Sequence, residues 1–280
     1  MTRSKKTAIL CPSCRRLISA DEGICPHCGA SIPSGILTQR FLEGYSKLAV
    51  NAVRIIIYVN AAFYIFSLIL NPARTGLSFN PLTFLSPADS SLFVLGATGA
   101  LPIAGYHRWW TLVSASYLHG GILHIFFNMA ALSQLGPFVL NEYGFNRFFT
   151  IYTLSGIAGF FLSYLVGIPF TIGASACICG LIGAILYYGK SRGGHYGQAI
   201  YQQATGWVIG LVIFGLLLPG INNWAHGGGL ATGILLGYLL GYIEKTRGSH
   251  VHLTLAILCL ASTAAVLLWA ILQAVFHAVL

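Results

Sequence analysis

Four polar residues stand near the starts of three apolar segments of the sequence: His124, Asn128, Ser175 and His226. Hydrocarbon penalises polar groups, so polar residues in such segments usually mark function. A serine hydroxyl is inert until a base takes its proton, and imidazole is the commonest base. Ser175 and His226 therefore fit the roles of nucleophile and general base. His124 and Asn128 are spaced i, i+4 on one helix face, which suits two donors aimed at a developing oxyanion.

The backbone N–H of Ser175 adds a third candidate donor, because the first amides of a helix have no partner within it. A carboxylate to complete a triad is not evident. The carboxylates after residue 49 are Asp89, Glu142 and Glu244. We place the last two on the cytoplasmic side and the first in an external loop, so the sequence predicts a Ser–His dyad.

Each residue also has a structural interpretation when it is taken singly. Ser175 could be a helix cap or a small packing residue, and His124 and Asn128 could serve interhelical hydrogen bonds. A soluble serine hydrolase is excluded, because the run from Gly173 to Cys177 lacks the second glycine of G-x-S-x-G and no strand precedes it. We predict that Cys177 and Cys179 are buried packing residues.

Composition excludes an ordinary soluble enzyme. Of 280 residues, 56% are apolar and only 8% are charged, 15 of them Lys or Arg and 6 Asp or Glu, where a soluble domain carries roughly a quarter. Ten of the charged residues fall within the first 49, so a polar head precedes a membrane body. The basic residues flank apolar runs, and we interpret the net charge of +9 as membrane topology rather than nucleic-acid binding.

Seven apolar stretches are candidates for membrane spans. They run approximately over residues 50–70, 122–140, 148–167, 173–189, 204–219, 225–243 and 252–279. With the N-terminus in the cytoplasm and the C-terminus outside, thirteen Lys and Arg residues fall inside and two outside, as the positive-inside rule requires. The four polar residues then lie at similar depth near the outer face. The connection 71–121 is too apolar for a solvated loop, so we expect it to lie partly in the outer interface.

Glycines recur in two of these stretches. Gly229, Gly233, Gly237 and Gly241 are four residues apart in the sixth, and the fourth contains Gly173, Gly180 and Gly183. Such spacing lets two helix backbones approach closely. Packing along these faces would bring Ser175 and His226 together, although a seam used only for packing would have the same spacing.

Two CxxC pairs in the head predict a four-cysteine zinc site formed by Cys11, Cys14, Cys25 and Cys28. A head this short cannot bury a core, so a structural zinc ion would supply most of its folding free energy. No secretory signal precedes the head, and a reducing cytoplasm disfavours disulfides. A thioredoxin-like redox pair would need a βαβ context that is absent. This four-cysteine module is either a docking module for a cytoplasmic partner or a structural cap.

The motifs resemble those of the rhomboid family of intramembrane serine proteases. The matching residues are Arg108-Trp109-Trp110, His119-x4-His124-x3-Asn128, Gly173-Ala-Ser175 and Ala225-His226-x2-Gly229-x3-Gly233. The resemblance implies Ser175 as nucleophile, His226 as base, and His124, Asn128 and the Ser175 amide as oxyanion donors, with supporting roles for His119, Gly173, Gly229 and Gly233. It implies no cofactor for catalysis, and substrates that are single-span membrane proteins cut near the outer end of a helix.

The predicted fold is therefore an all-α polytopic membrane protein. It comprises a cytoplasmic zinc-ribbon-like module over residues 1–32, a linker over 33–49, a rhomboid-like six-helix core over 50–243 and a seventh, C-terminal transmembrane helix within 244–280. The chain departs from the family at Ala176, where glycine is common, and at Cys179, where an aromatic residue stacks on the catalytic imidazole. A non-proteolytic binder of transmembrane helices is the alternative function. A channel or transporter would need polar groups that continue to the inner side.

Overall fold

The computed structural model of the protein describes residues 8–11, 16–19, 22–27, 29, 36–77, 83–218, 220–246 and 248–279. The described chain is mainly helical. Its helices are α1 Ile36–Leu70, α2 Asp89–Leu95, α3 Thr111–Ser114, α4 Ile122–Tyr143, α5 Phe145–Leu165, α6 Ser175–Arg192, α7 Gly194–Leu217, α8 Asn223–Leu240 and α9 His250–Val279. Two antiparallel strand pairs accompany them: β1 Ala8–Leu10 with β2 Leu17–Ser19, and β3 Gly76–Leu77 with β4 Phe84–Ser86.

Five of the helices are long and apolar enough to cross a membrane. These spans are Val50–Leu70, Ile122–Tyr143, Phe145–Leu165, Gly194–Leu217 and His250–Phe276, and each overlaps a stretch predicted from the sequence. The other two predicted spans, 173–189 and 225–243, are helical as α6 and α8 but fall outside this set. Both begin with the polar residues that suggested a site, and α6 is buried along most of its length. A helix packed on most sides by protein has less need of an apolar surface.

The stretch predicted as a linker, 33–49, is helical from residue 36 onward. Helix α1 runs without a break from Ile36 into the first apolar span and ends at Leu70. Pro33 and Gly35 precede the helix, and no proline follows them before the span. The residues from Ile36 onward include several good helix formers, so nothing interrupts the helix.

The connection between α1 and α4 is folded against the helices, and its position at the outer interface stays a prediction. It contains the β3–β4 pair, α2, one turn of π-helix at Leu101–Gly105 and α3. Leu95 and Ile103 are fully buried. Arg108 donates to the backbone oxygen of Phe93 at 2.7 Å and to the side chain of Gln273 on α9 at 3.2 Å. The connection is therefore fixed to α9 as well as to its own backbone.

Basic residues that were predicted on the cytoplasmic side gather at one end of the helix bundle. Arg192 forms an ion pair with Glu244, and Arg147 donates to the carbonyl oxygen of Thr246 at 2.6 Å. Ser175 begins the same helix that Arg192 ends, which places the two residues roughly 25 Å apart along the helix axis. The charged end and the candidate site thus lie at opposite ends of α6.

Glycines bring α6 and α8 into backbone contact. A Cβ atom at Gly233 would overlap the carbonyl oxygen of Gly180, and one at Gly229 would overlap that of Ala176. A Cβ at Gly183 would overlap the carbonyl of Leu230. This contact, the glycine seam, is formed by Gly180 and Gly183 on α6 and Gly229 and Gly233 on α8. It is the close approach predicted from the four-residue spacing.

Gly241 does not belong to this seam. It follows the last residue of α8 with φ +64°, and its nearest neighbours are atoms of Thr246. Glycine is favoured there because residues with a Cβ atom rarely adopt a positive φ. Helix α5 also packs closely against α8, since a Cβ atom at Gly159 on α5 would overlap the carbonyl oxygen of Ala225 on α8.

Candidate active site

Ser175 and His226 lie at the adjoining N-terminal ends of α6 and α8. Ser175 is the first residue of α6, and His226 lies in the first turn of α8, which begins at Asn223. The Nε2 atom of His226 is 2.8 Å from the Oγ atom of Ser175. The structure thus brings together the two residues predicted as base and nucleophile, at the distance that proton transfer requires.

The second ring nitrogen of His226 has no hydrogen-bond partner within the described residues. Its Nδ1 atom is buried and unpaired. When Nε2 accepts the proton of the Ser175 hydroxyl, the ring hydrogen of neutral imidazole sits on Nδ1. No described carboxylate contacts that N–H, so the geometry is that of a dyad without a third member in the described part of the chain.

His124 is held in one tautomer by a backbone amide. The N–H of Gly120 donates to Nδ1 of His124 at 3.2 Å. In neutral imidazole the hydrogen must then reside on Nε2, which becomes a donor. The sequence analysis did not identify Gly120, because a backbone donor leaves no trace in residue type.

Gly173 lets the His124 ring approach the serine. Its φ of +125° lies in the region that favours glycine. A Cβ atom at Gly173 would lie 2.7 Å from Nε2 of His124 and 3.6 Å from Oγ of Ser175. Nε2 of His124 and the Ser175 hydroxyl therefore border the same space, the one that a side chain at Gly173 would enter. A group bound there could contact both.

Asn128 lies one turn after His124 on α4 and is 7% exposed. Its Nδ2 atom donates to the carbonyl oxygen of His124 at 2.8 Å. An amide nitrogen carries two hydrogens, so one N–H of Asn128 remains for a ligand. The predicted i, i+4 relation to His124 is present.

His119 is completely buried, and its ring packs edge-on against that of His124, with centroids 4.9 Å apart. Neither of its ring nitrogens has a hydrogen-bond partner among the described residues. His119 thus contacts His124, which lies between it and Ser175, and its supporting role at the site stays a prediction.

The departures Ala176 and Cys179 are both accommodated in the core. The methyl group of Ala176 packs with Ala115, Phe160 and Ala225 where α5, α6 and α8 meet. Cys179 lies one turn after Ser175 and is 2% exposed. Cys177 is also buried, and its thiol donates to Oγ of Ser116 at 3.3 Å. The prediction that Cys177 and Cys179 are packing residues is confirmed by their burial.

The cysteine head is described only in part. Cys11 follows β1, and Cys25 follows the second strand of the pair; their side chains are 0% and 1% exposed. Cys14 and Cys28, the other two predicted ligands, lie outside the described residues. The described residues alone contain no group of three or more metal-ligating side chains.

The helices and the burial pattern define a multi-pass integral membrane protein of the helical class. Within it, residues 106–243 match the model of the Rhomboid domain. This match covers the end of the connection before α4, helices α4 to α8 and all four residues of the candidate site. This match and the similarity to individual proteins support the rhomboid family.

Among its relatives, RHOMBOID-like protein 4 of Arabidopsis thaliana is 34% identical over 177 residues, covering 60% of this chain and 44% of that protein. RHOMBOID-like protein 6, mitochondrial, of the same plant is 34% identical over 168 residues, covering 58% of this chain and 55% of that protein. Rhomboid protease GluP of Bacillus subtilis is 34% identical over 154 residues, covering 55% of this chain and 30% of that protein. The chain spans about half or less of the length of these relatives.

Proposed function

We propose that this chain is an intramembrane serine endopeptidase that cleaves transmembrane segments of single-span membrane proteins. The observation that carries the proposal is the 2.8 Å contact between Nε2 of His226 and Oγ of Ser175 at one end of the bundle. The rhomboid domain over residues 106–243 and the likeness to a protein named a rhomboid protease add support.

The chemistry follows from the two side chains. Oγ of Ser175 attacks the scissile carbonyl carbon while Nε2 of His226 takes the hydroxyl proton and then delivers it to the leaving amine. Water next attacks the acyl carbon and gives a proton to Nε2 of His226. His226 returns this proton to Oγ of Ser175 as the acyl–oxygen bond breaks, which releases the new carboxyl terminus. The oxygen that becomes negatively charged in each tetrahedral intermediate accepts hydrogen bonds from three donors. These are the Ser175 N–H, Nε2–H of His124 and the remaining N–H of Asn128.

The orientation in the membrane belongs to the same proposal. Arg192, Arg147 and Lys245 lie at the end of the bundle remote from Ser175, and an excess of basic residues marks the cytoplasmic side. The active site then opens toward the outer face, with the N-terminus inside. Cleavage occurs near the outer end of the substrate helix.

The proposal is tested with the full chain in liposomes that also contain single-span test proteins with helices of differing stability. The wild-type protein and the control Ser133→Ala, an exposed serine on α4, are expected to release fragments cut near one end of a span. Ser175→Ala is expected to release none. Mass spectrometry of the fragments identifies the cut. A folded wild-type protein that binds these spans without cutting them would instead indicate a non-proteolytic binder.

The oxyanion donors provide a graded prediction. His124→Ala is expected to lower kcat by about 10²- to 10³-fold, because it removes a donor whose hydrogen is oriented by Gly120. Asn128→Ala is expected to lower kcat less, since one of its N–H groups already serves the His124 carbonyl. Steady-state rates on one test protein measure both. Equal kcat in wild type and His124→Ala would remove His124 from the oxyanion site.

We also propose that the head binds one structural zinc ion through Cys11, Cys14, Cys25 and Cys28. The near-complete burial of Cys11 and Cys25 supports this, as does the N–H of Gly29 donating to the Cys25 carbonyl at 2.9 Å in a tight turn. Four cysteines in two CxxC pairs are the donor set that tetrahedral zinc prefers. Zinc would hold the head together and would take no part in the cleavage.

One zinc ion per chain is expected in the wild-type protein, and also in Cys259→Ala, which alters a cysteine in the membrane body. Cys11→Ser with Cys25→Ser is expected to lose it. Elemental analysis of the purified full chain, calibrated against protein sulfur, gives the ratio. Zinc-free wild-type protein after purification with added zinc, or retention by the double variant, would refute the site.

A further inference from the structure

Asn222 joins three segments of the protein through its side chain. It is the residue before α8 and lies four residues before His226. Its Oδ1 atom accepts a hydrogen bond from the N–H of Ala225 at 3.0 Å and so caps the helix. Its Nδ2 atom donates to Oγ of Ser163 on α5 at 2.8 Å and to Oγ1 of Thr171 at 2.9 Å. Both N–H groups and the carbonyl oxygen of the amide are thus engaged.

Thr171 occupies the matching place before the nucleophile. It lies four residues before Ser175, as Asn222 lies four residues before His226. Its backbone is held on both sides by Thr98, with hydrogen bonds of 2.7 Å and 3.0 Å in an isolated β-bridge. The contact between the Thr171 hydroxyl and Asn222 therefore joins the segment leading to the serine directly to the segment leading to the histidine.

The two catalytic side chains lie close to this junction. Ser175 is the first residue of its helix, and His226 lies in the first turn of another. The glycine seam sets the distance between the axes of α6 and α8, and sliding of one helix along the other is opposed by contacts at the helix ends as well as by the seam. A hydrogen bond between the two leading segments restrains that sliding.

We propose that Asn222 is a positioning residue that keeps Nε2 of His226 within proton-transfer distance of Oγ of Ser175 by bracing the start of α8 against Thr171. The inference rests on the proposed function, because it assigns a role in the activation of Ser175. A displacement of about 1 Å between reacting groups lowers rates by as much as 10²-fold. Loss of the brace is therefore expected to reduce serine reactivity without removing any group that touches the substrate.

The key variant is Asn222→Ser, because serine still caps the helix but has no amide N–H groups to reach Ser163 and Thr171. Thr171→Val removes the acceptor from the other side and preserves the shape of the side chain. Asn223→Ala is the matched control. It alters the adjacent, exposed asparagine, whose amide donates to the Gly215 carbonyl on α7 at 2.8 Å.

The readout is the rate at which a fluorophosphonate modifies Ser175 in the full chain in detergent, together with kcat and KM for one cleaved test protein. Asn222→Ser and Thr171→Val are each expected to lower the labelling rate and kcat by about 10- to 100-fold. KM is expected to stay near the wild-type value, and the unfolding temperature is expected to fall by only a few degrees through the lost hydrogen bonds. The double variant should be no slower than the slower single variant, since both remove the same contact.

Wild-type rates in Thr171→Val, or in folded Asn222→Ser, would overturn the inference, as would additive losses in the double variant. If Asn222→Ser does not fold, Thr171→Val alone decides the outcome. These results are distinct from failure of the proposed function, in which the wild-type protein itself would show no labelling of Ser175.

Discussion

Replacing His226 by alanine is expected to lower the rate of peptide-bond cleavage as far as replacing Ser175 does, by roughly 10³-fold or more. The reason is the 2.8 Å contact through which Nε2 of His226 takes the serine proton. A protonated serine hydroxyl is a weak nucleophile, so either loss disables the same step. The variant Ser175→Ala/His226→Ala is expected to be no slower than either single variant, because the two residues act as a unit.

The measurement is the initial rate of fragment release from one single-span test protein in liposomes. His195→Ala serves as the control, since His195 is an exposed histidine at the start of α7, near the charged end of the bundle. It is expected to cleave at close to the wild-type rate. Substantial cleavage by folded His226→Ala would show that another group activates Ser175.

Gly233→Ala is expected to destabilise the protein by about 1 to 3 kcal/mol and to reduce its activity. The added methyl group would overlap the carbonyl oxygen of Gly180, a backbone atom that cannot turn aside. The helices α6 and α8 must then separate, and the ends that carry Ser175 and His226 separate with them. Such a shift is expected to lower the cleavage rate by up to about 10²-fold.

Gly210→Ala on α7 provides the comparison, because a Cβ atom there meets nothing within 4 Å. Alanine is the better helix former, so this control is expected to be neutral or stabilising by a few tenths to about 1 kcal/mol. Thermal unfolding in detergent compares the two variants. Equal unfolding temperatures for Gly233→Ala and the wild-type protein would mean that the seam tolerates a methyl group and does not set the helix spacing.

The sequence predicted much of the membrane body because lipid imposes simple rules. Apolar stretches of about 20 residues marked five helices that are long and apolar enough to span, and glycines at four-residue spacing marked the contact between α6 and α8. Ser175 and His226 were identified as a pair because polar side chains are rare in such segments. The residue at which α1 begins was harder to predict, because a polar stretch before a membrane span can form either a helical extension or a linker.

The finer structure of the site depends on contacts between distant segments. The donor that orients His124 is a backbone N–H, and the segment before Ser175 is held by the backbone of Thr98. Asn222 could have been recognised as a candidate helix cap from its residue type, because asparagine is preferred at the position before a helix. Its bonds to Ser163 and Thr171 depend on how α5 and α8 pack, which local sequence does not reveal.

The most direct measurement of the central claim is mass spectrometry of the detergent-purified full chain after exposure to a fluorophosphonate. The serine oxygen would displace fluoride at phosphorus while His226 takes the hydroxyl proton, leaving a stable adduct. We predict one adduct per chain, mapped to the peptide that contains Ser175, and none in folded His226→Ala. An unmodified wild-type protein, or an adduct that forms equally in His226→Ala, would contradict an activated Ser–His dyad.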